Sequence, residues 1–95
     1  MPVNQTGELP IYRRNDLALF RRAAGQAVIL VHGAGELVTL SVTGAVVWEL
    51  LETPQSIPAL SDELAVMFAV DLDTVSRDVE ALVTDLVARG ILAEG

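Results

Sequence analysis

Ninety-five residues with 52% hydrophobic side chains suffice for one domain with a compact core, which must be mostly aliphatic because only four residues are aromatic. Cysteine is absent and histidine occurs once, which excludes a disulfide framework, a thiol nucleophile and a metal site of the usual histidine or thiolate type. The net charge of -7 is uneven, with four arginines against two acids in residues 1–22 and two arginines against eleven acids in residues 23–95, so the body repels phosphate backbones and attracts basic segments.

Residues 1–15 mix Pro, Asn, Gln, Gly and Arg without apolar periodicity. They read as a tail that is flexible or orders on binding, ahead of a single domain at 16–95. The start has no apolar signal core, and no apolar run approaches roughly 18 residues. Neither a signal peptide nor a membrane span is expected, and the absence of cysteine fits the expected cytoplasmic location.

Three strands are predicted next, at residues 17–20, 27–31 and 37–41. A turn centred on Gly25 joins the first two. His32-Gly33-Ala34-Gly35-Glu36 joins the last two, and its glycines supply the positive φ angles that a hairpin loop needs. In the second strand Val28 and Leu30 face one way and Ala27, Ile29 and Val31 the other, so both faces are apolar. One must cover the core, and the other is open to a partner.

After Ser41 the apolar period changes from two to three or four. Thr43 is the expected cap of a first helix, with Val46, Val47, Leu50 and Leu51 inward and Trp48 on its flank. Thr53-Pro54-Gln55 ends it, because a residue before proline disfavours the helical region. Ser56 is the expected cap of a second helix, which tolerates Pro58 in its first turn and has Leu60, Leu64, Met67 and Phe68 as its apolar set. Asp71 is the expected cap of a third, running to about Arg89. There Val75, Val79, Leu82 and Leu86 form a helical stripe that Val83 and Val87 broaden. Gly90 stops the helix, and Ile91-Leu92 can fold back on its end. The fold class is therefore α+β: a three-stranded antiparallel sheet followed by a three-helix bundle, winged helix-turn-helix-like in outline.

No catalytic residue, metal ligand or cofactor site is expected. His32 sits in a glycine-rich loop, and Gly33-x-Gly35 is too short for a dinucleotide or phosphate-loop fingerprint. Asp62-Glu63 and Asp71/Asp73 read as helix-start charges favoured by the dipole. A DNA-binding regulator is the rival suggested by the helix-turn-helix outline. However, the third helix sets Arg77 and Arg89 against Asp73, Asp78, Glu80 and Asp85, and each acid opposes a phosphate. No nucleic-acid or membrane partner is expected.

A peptide surface remains. An open sheet edge offers unpaired N–H and C=O groups that an extended chain can satisfy by adding a strand. If the third strand lies beside the third helix, Leu37, Val38 and Leu40 supply one wall of an apolar groove. Val75, Val79, Leu82 and Leu86 supply the other, with Asp78 and Asp85 on its shoulder to meet basic ligand side chains. The competing reading is that the aliphatics are core and the acids ordinary solvated charges. A monomer or weak dimer is expected, the latter if two open edges pair.

Thr43-Gly44-Ala45-Val46-Val47-Trp48-Glu49-Leu50-Leu51 resembles the TGA-x-x-W-x-L-L opening of the first helix in the PqqD-like family. Val70-Asp71, Val75, Arg77-Asp78-Val79, Leu82, Leu86 and Arg89-Gly90-Ile91-Leu92 resemble its closing pattern. The resemblance covers about residues 17–92. It implies a recognition element for ribosomally made natural products, which holds a precursor's leader as an added strand and delivers it to separate enzymes. Leader contacts carried over by it fall on Glu36, Leu37, Val38, Thr39 and Leu40 and on the exposed side of residues 75–86. Residues 35–42 depart from the family's usual aromatic-rich stretch. Two versions fit a chain of this size: one serving a lasso-peptide leader peptidase and cyclase, and one serving a radical-SAM enzyme in redox-cofactor synthesis. The TGAVVWELL opening looks closer to the first.

Overall fold

The computed structural model describes residues 9–23, 26–31 and 37–95. The turn at Gly25 and the loop from His32 to Glu36 lie outside them. Eight elements follow in order: β1 (Tyr12–Arg14), β2 (Ala18–Ala23), β3 (Gln26–Val31), β4 (Leu37–Leu40), α1 (Val42–Leu50), α2 (Ile57–Phe68), α3 (Leu72–Ala88) and β5 (Leu92–Glu94). The antiparallel order β2-β3-β4 and the three helices that follow are the expected α+β architecture.

The sheet sorts its side chains by the two-residue period of a strand. Ala27 and Ile29 enter the core, and their partners Leu40, Val38 and Phe20 share that face. The other face carries Leu30 between Leu19 and Leu37, both exposed. That face has no covering layer among the described residues.

α1 begins two residues earlier than the Thr43 cap implied. Ser41 is extended, and its Oγ accepts a hydrogen bond from the Gly44 N–H at 3.0 Å. Ser41 wins because it ends the strand in the extended conformation a cap needs. Gly44 is then confined: a Cβ there would lie 3.3 Å from Ser41 Oγ and 3.5 Å from Leu40 Cβ. Trp48 is buried and not on the flank. Its ring stacks on Phe20 with centroids 5.7 Å apart, and the Arg14 guanidinium lies over it, 4.6 Å from the ring centroid.

α2 starts as read, with Ser56 Oγ accepting from the Ala59 N–H. Leu60 and Leu64 are buried, whereas Met67 and Phe68 are exposed because the helix ends at the surface. Its last cap is Ala69, at φ 53°. The Val70 N–H donates back to the Ala65 carbonyl at 3.2 Å, which closes the helix in the manner usually given to glycine. An L-residue in the left-handed region costs about 1–2 kcal/mol, partly offset by the freedom glycine adds to the unfolded chain. Ala69→Gly should therefore raise the thermal midpoint by a few degrees in a circular-dichroism melt. A lower midpoint would show that the methyl group packs favourably there.

α3 starts as read, with Asp71 Oδ2 accepting from the Thr74 N–H. Its fully inward stripe is Val75, Val79, Val83 and Leu86; Leu82 is only half-buried. Gly90 takes φ 79°, and the Ile91 N–H reaches the Leu86 carbonyl. Ile91 and Leu92 fold back into the core as expected.

The segment read as tail holds a strand. β1 pairs antiparallel with β5, and Tyr12 also exchanges backbone hydrogen bonds with Gln55. Asn15 Nδ2 donates to the Gly90 carbonyl. Arg14 Nε donates to the Trp48 carbonyl at 2.9 Å, satisfying an orphan group at the end of α1. Arg22 pairs with Glu49 of the same helix. Two of the four arginines near the start thus tie strands to α1.

Candidate functional site

Among the described residues β4 bonds to β3 alone, so it is an edge of its sheet. Its other side opens on α3. A groove of about 370 Å³ lies between them, lined by Leu37, Val38, Thr39, Leu40 and Ser41 and by Leu82, Asp85, Leu86 and Arg89. Leu40 and Leu86 belong to the buried core and form its floor. Val38 and Leu82 are half-buried walls. Leu37 is 68% exposed, a large apolar side chain left open at the rim.

Seven residues singled out from the sequence are thus brought together: Leu37, Val38, Thr39, Leu40, Leu82, Asp85 and Leu86. Glu36 falls outside the described residues. Val75, Asp78 and Val79 line a different, smaller cavity of about 160 Å³, with Thr43, Leu64, Phe68 and Val70. Val75 and Val79 are core there, so only Asp78 of the three reaches solvent. A helix turns 100° per residue and drifts relative to a straight strand, so one stripe does not face one partner along its whole length.

Asp85 is not a free carboxylate. Arg89 Nε donates to its Oδ2 at 2.9 Å, an i,i+4 pair with both side chains exposed. Arg89 and Ser41 are groove residues that sequence reasoning missed. The four-residue spacing of Arg89 from Asp85 is the signal that points to it. Ser41 had none apart from its place between strand and helix.

The groove therefore joins an apolar floor, one strand edge and a polar latch of both signs. An edge strand offers backbone donors and acceptors at a 3.3–3.4 Å rise per residue, which suits an extended chain. Among the described residues, no group of three or more His, Asp or Glu side chains could hold a metal ion. No helix of the described residues is long and apolar enough to cross a membrane.

No curated protein matches the sequence. The solved structure of TbiB1 in complex with the TbiA(beta) leader peptide has a similar fold: the TM-score is 0.76 at 24% identity, covering 84% of this chain and 93% of that chain. The family model for coenzyme PQQ synthesis protein D (PqqD) matches residues 26–92, from the first residue of β3 to the first of β5. With both sides of the groove and all three helices inside that match, the chain belongs to the PqqD family.

Proposed function

We propose that this protein binds the leader segment of a ribosomally synthesised precursor peptide, as a strand added to β4 in the groove facing α3. The observation that carries this reading is the open β4 edge above an apolar floor, in a chain of the PqqD family. TbiB1, which shares the fold, is in complex with a leader peptide. The bound backbone would satisfy the unpaired groups of β4, while alternate side chains meet Val38, Leu40 and Leu82. Leu37 and Thr39 would flank the ligand, and the Asp85–Arg89 pair would fix its register by accepting or donating at one point. Asp78, near the second cavity, would favour a basic residue farther along the ligand.

The protein itself then performs no bond chemistry. It raises the local concentration of a precursor at separate modifying enzymes, of which a lasso-type leader peptidase and cyclase are the proposed pair. The TGAVVWELL opening supports that pathway. The description of the matched family, coenzyme PQQ synthesis, favours a second reading: a peptide chaperone for a radical-SAM enzyme. DNA binding is disfavoured because α3 exposes Asp73, Asp78, Glu80 and Asp85, while Arg89 is engaged by Asp85.

Isothermal titration against the leader of a precursor encoded beside this gene should give saturable 1:1 binding at low micromolar concentration or tighter. No heat at tens of micromolar, with the protein folded, would refute the proposal. Adding the co-encoded peptidase or the radical-SAM enzyme to the complex then decides between the two pathways.

A further inference from the structure

We infer that the end of α2 and the turn into α3 form a second docking face, apart from the β4–α3 groove, for a protein partner that presents apolar side chains ringed by lysine or arginine. Single exposed aliphatics are ordinary on a soluble domain, but a cluster of them is not. Here Val66 is 82% exposed and Met67 55%, and Phe68, Val70 and Leu72 are exposed beside them. That is five large apolar side chains within seven consecutive residues. The patch is built on a closed turn and not on a fraying end, because the left-handed Ala69 and the Val70-to-Ala65 hydrogen bond hold it.

Charge identifies the occupant. Val66 and Met67 share a shallow depression with Asp62 and Glu63, one helical turn earlier. Asp71 and Asp73 stand exposed on the other side of the turn. No arginine or lysine occurs between Arg22 and Arg77. None of these four acids joins an ion pair among the described residues. An apolar patch with an acidic rim repels a second copy of itself, an anionic membrane surface and nucleic acid alike. It complements an apolar protein surface with a basic rim. The inference stands apart from the β4–α3 groove, since none of the five lines it; Phe68 and Val70 border the smaller cavity beside Asp78, so Val66 and Met67, which line neither, are the residues that distinguish this face from leader binding.

The test is a methyl-resolved NMR titration of the full chain with an amphipathic helical peptide of leucine and lysine, about 14 residues long to hold a helix. A leucine–glutamate peptide of the same pattern serves as the opposite-charge arm. The lysine peptide should shift the methyl signals of Val66, Met67 and Val70, and raised salt should weaken it. The double substitution Val66→Ser, Met67→Ser should reduce its affinity about tenfold, leaving the melting midpoint and leader affinity unchanged. Shifts confined to β4 and Leu82, equal binding of the glutamate peptide, or full affinity in the double variant would overturn the inference. So would a dimer in sedimentation that the double variant dissolves, or binding to vesicles of anionic lipid. Leader affinity is measured separately, so failure here leaves the groove reading standing, and the reverse.

Discussion

Leu82→Asp is expected to weaken leader binding by about 30-fold or more, with the fold intact. Leu82 is a half-buried wall of the groove and not one of the fully buried α3 residues. A bound strand would cover it, so an aspartate there would be desolvated without a partner. Such a group costs about 2 kcal/mol or more, and about 1.4 kcal/mol corresponds to tenfold in affinity. Leu82→Ala should cost only several-fold, since it removes contact area without introducing charge. Titration of both variants, with circular dichroism alongside, distinguishes the two effects. Undiminished affinity in a folded Leu82→Asp protein would move the site away from this wall. Leu40→Asp, the substitution that strand position alone suggests, is a poorer probe: Leu40 is 8% exposed and part of the core, so the charge would unfold the sheet.

Trp48→Ala should be the most damaging truncation for stability. The indole is 4% exposed, stacked on Phe20 and faced by Arg14, and the Trp48 carbonyl accepts from Arg14 Nε. It links β1, β2 and α1 in one contact. Large-to-small changes at buried aromatics cost about 3–5 kcal/mol, against roughly 5–15 kcal/mol of total stability for a domain. At about 4 °C or more per kcal/mol for a chain of this size, the thermal midpoint should drop by some 12 °C or more. Trp48→Phe keeps the stacking and most of the buried area, so it should retain the larger part of that stability. If calorimetry gives Trp48→Ala a midpoint within a few degrees of the parent, the indole does not anchor the sheet to α1.

The helical half was legible because its signals are local. Ser56 and Asp71 cap the helices they were read to cap, and the α3 stripe shows its period over seventeen residues. The finer sorting of that stripe was not legible. Val83 and Leu82 are neighbours that both fit an apolar face, and only the packing of β4 and α2 decides which is swallowed and which is left at a groove. The same limit applied to the site. Leu82, Asp85 and Leu86 meet β4, but Val75, Asp78 and Val79 meet α2 and the start of α1 instead. β1 and β5 carried no readable signal. Three residues are too few to show alternation, and the strands pair across nearly the whole chain, as Tyr12 with Glu94. The excess of arginine in residues 1–22 shows in the sequence, but not that Arg14, at the end of β1, lies over an indole.

The β1–β5 pairing has a practical side. The Gly95 N–H donates to the Ile11 carbonyl at 2.8 Å, so residue 11 and residue 95 touch. A unit whose entry and exit points coincide can be spliced into a surface loop of a host protein without straining either backbone. The same geometry suits circular permutation, with Gly95 joined to residue 11 through a short linker and new ends opened elsewhere. It makes this domain a portable cassette, able to sit inside another chain.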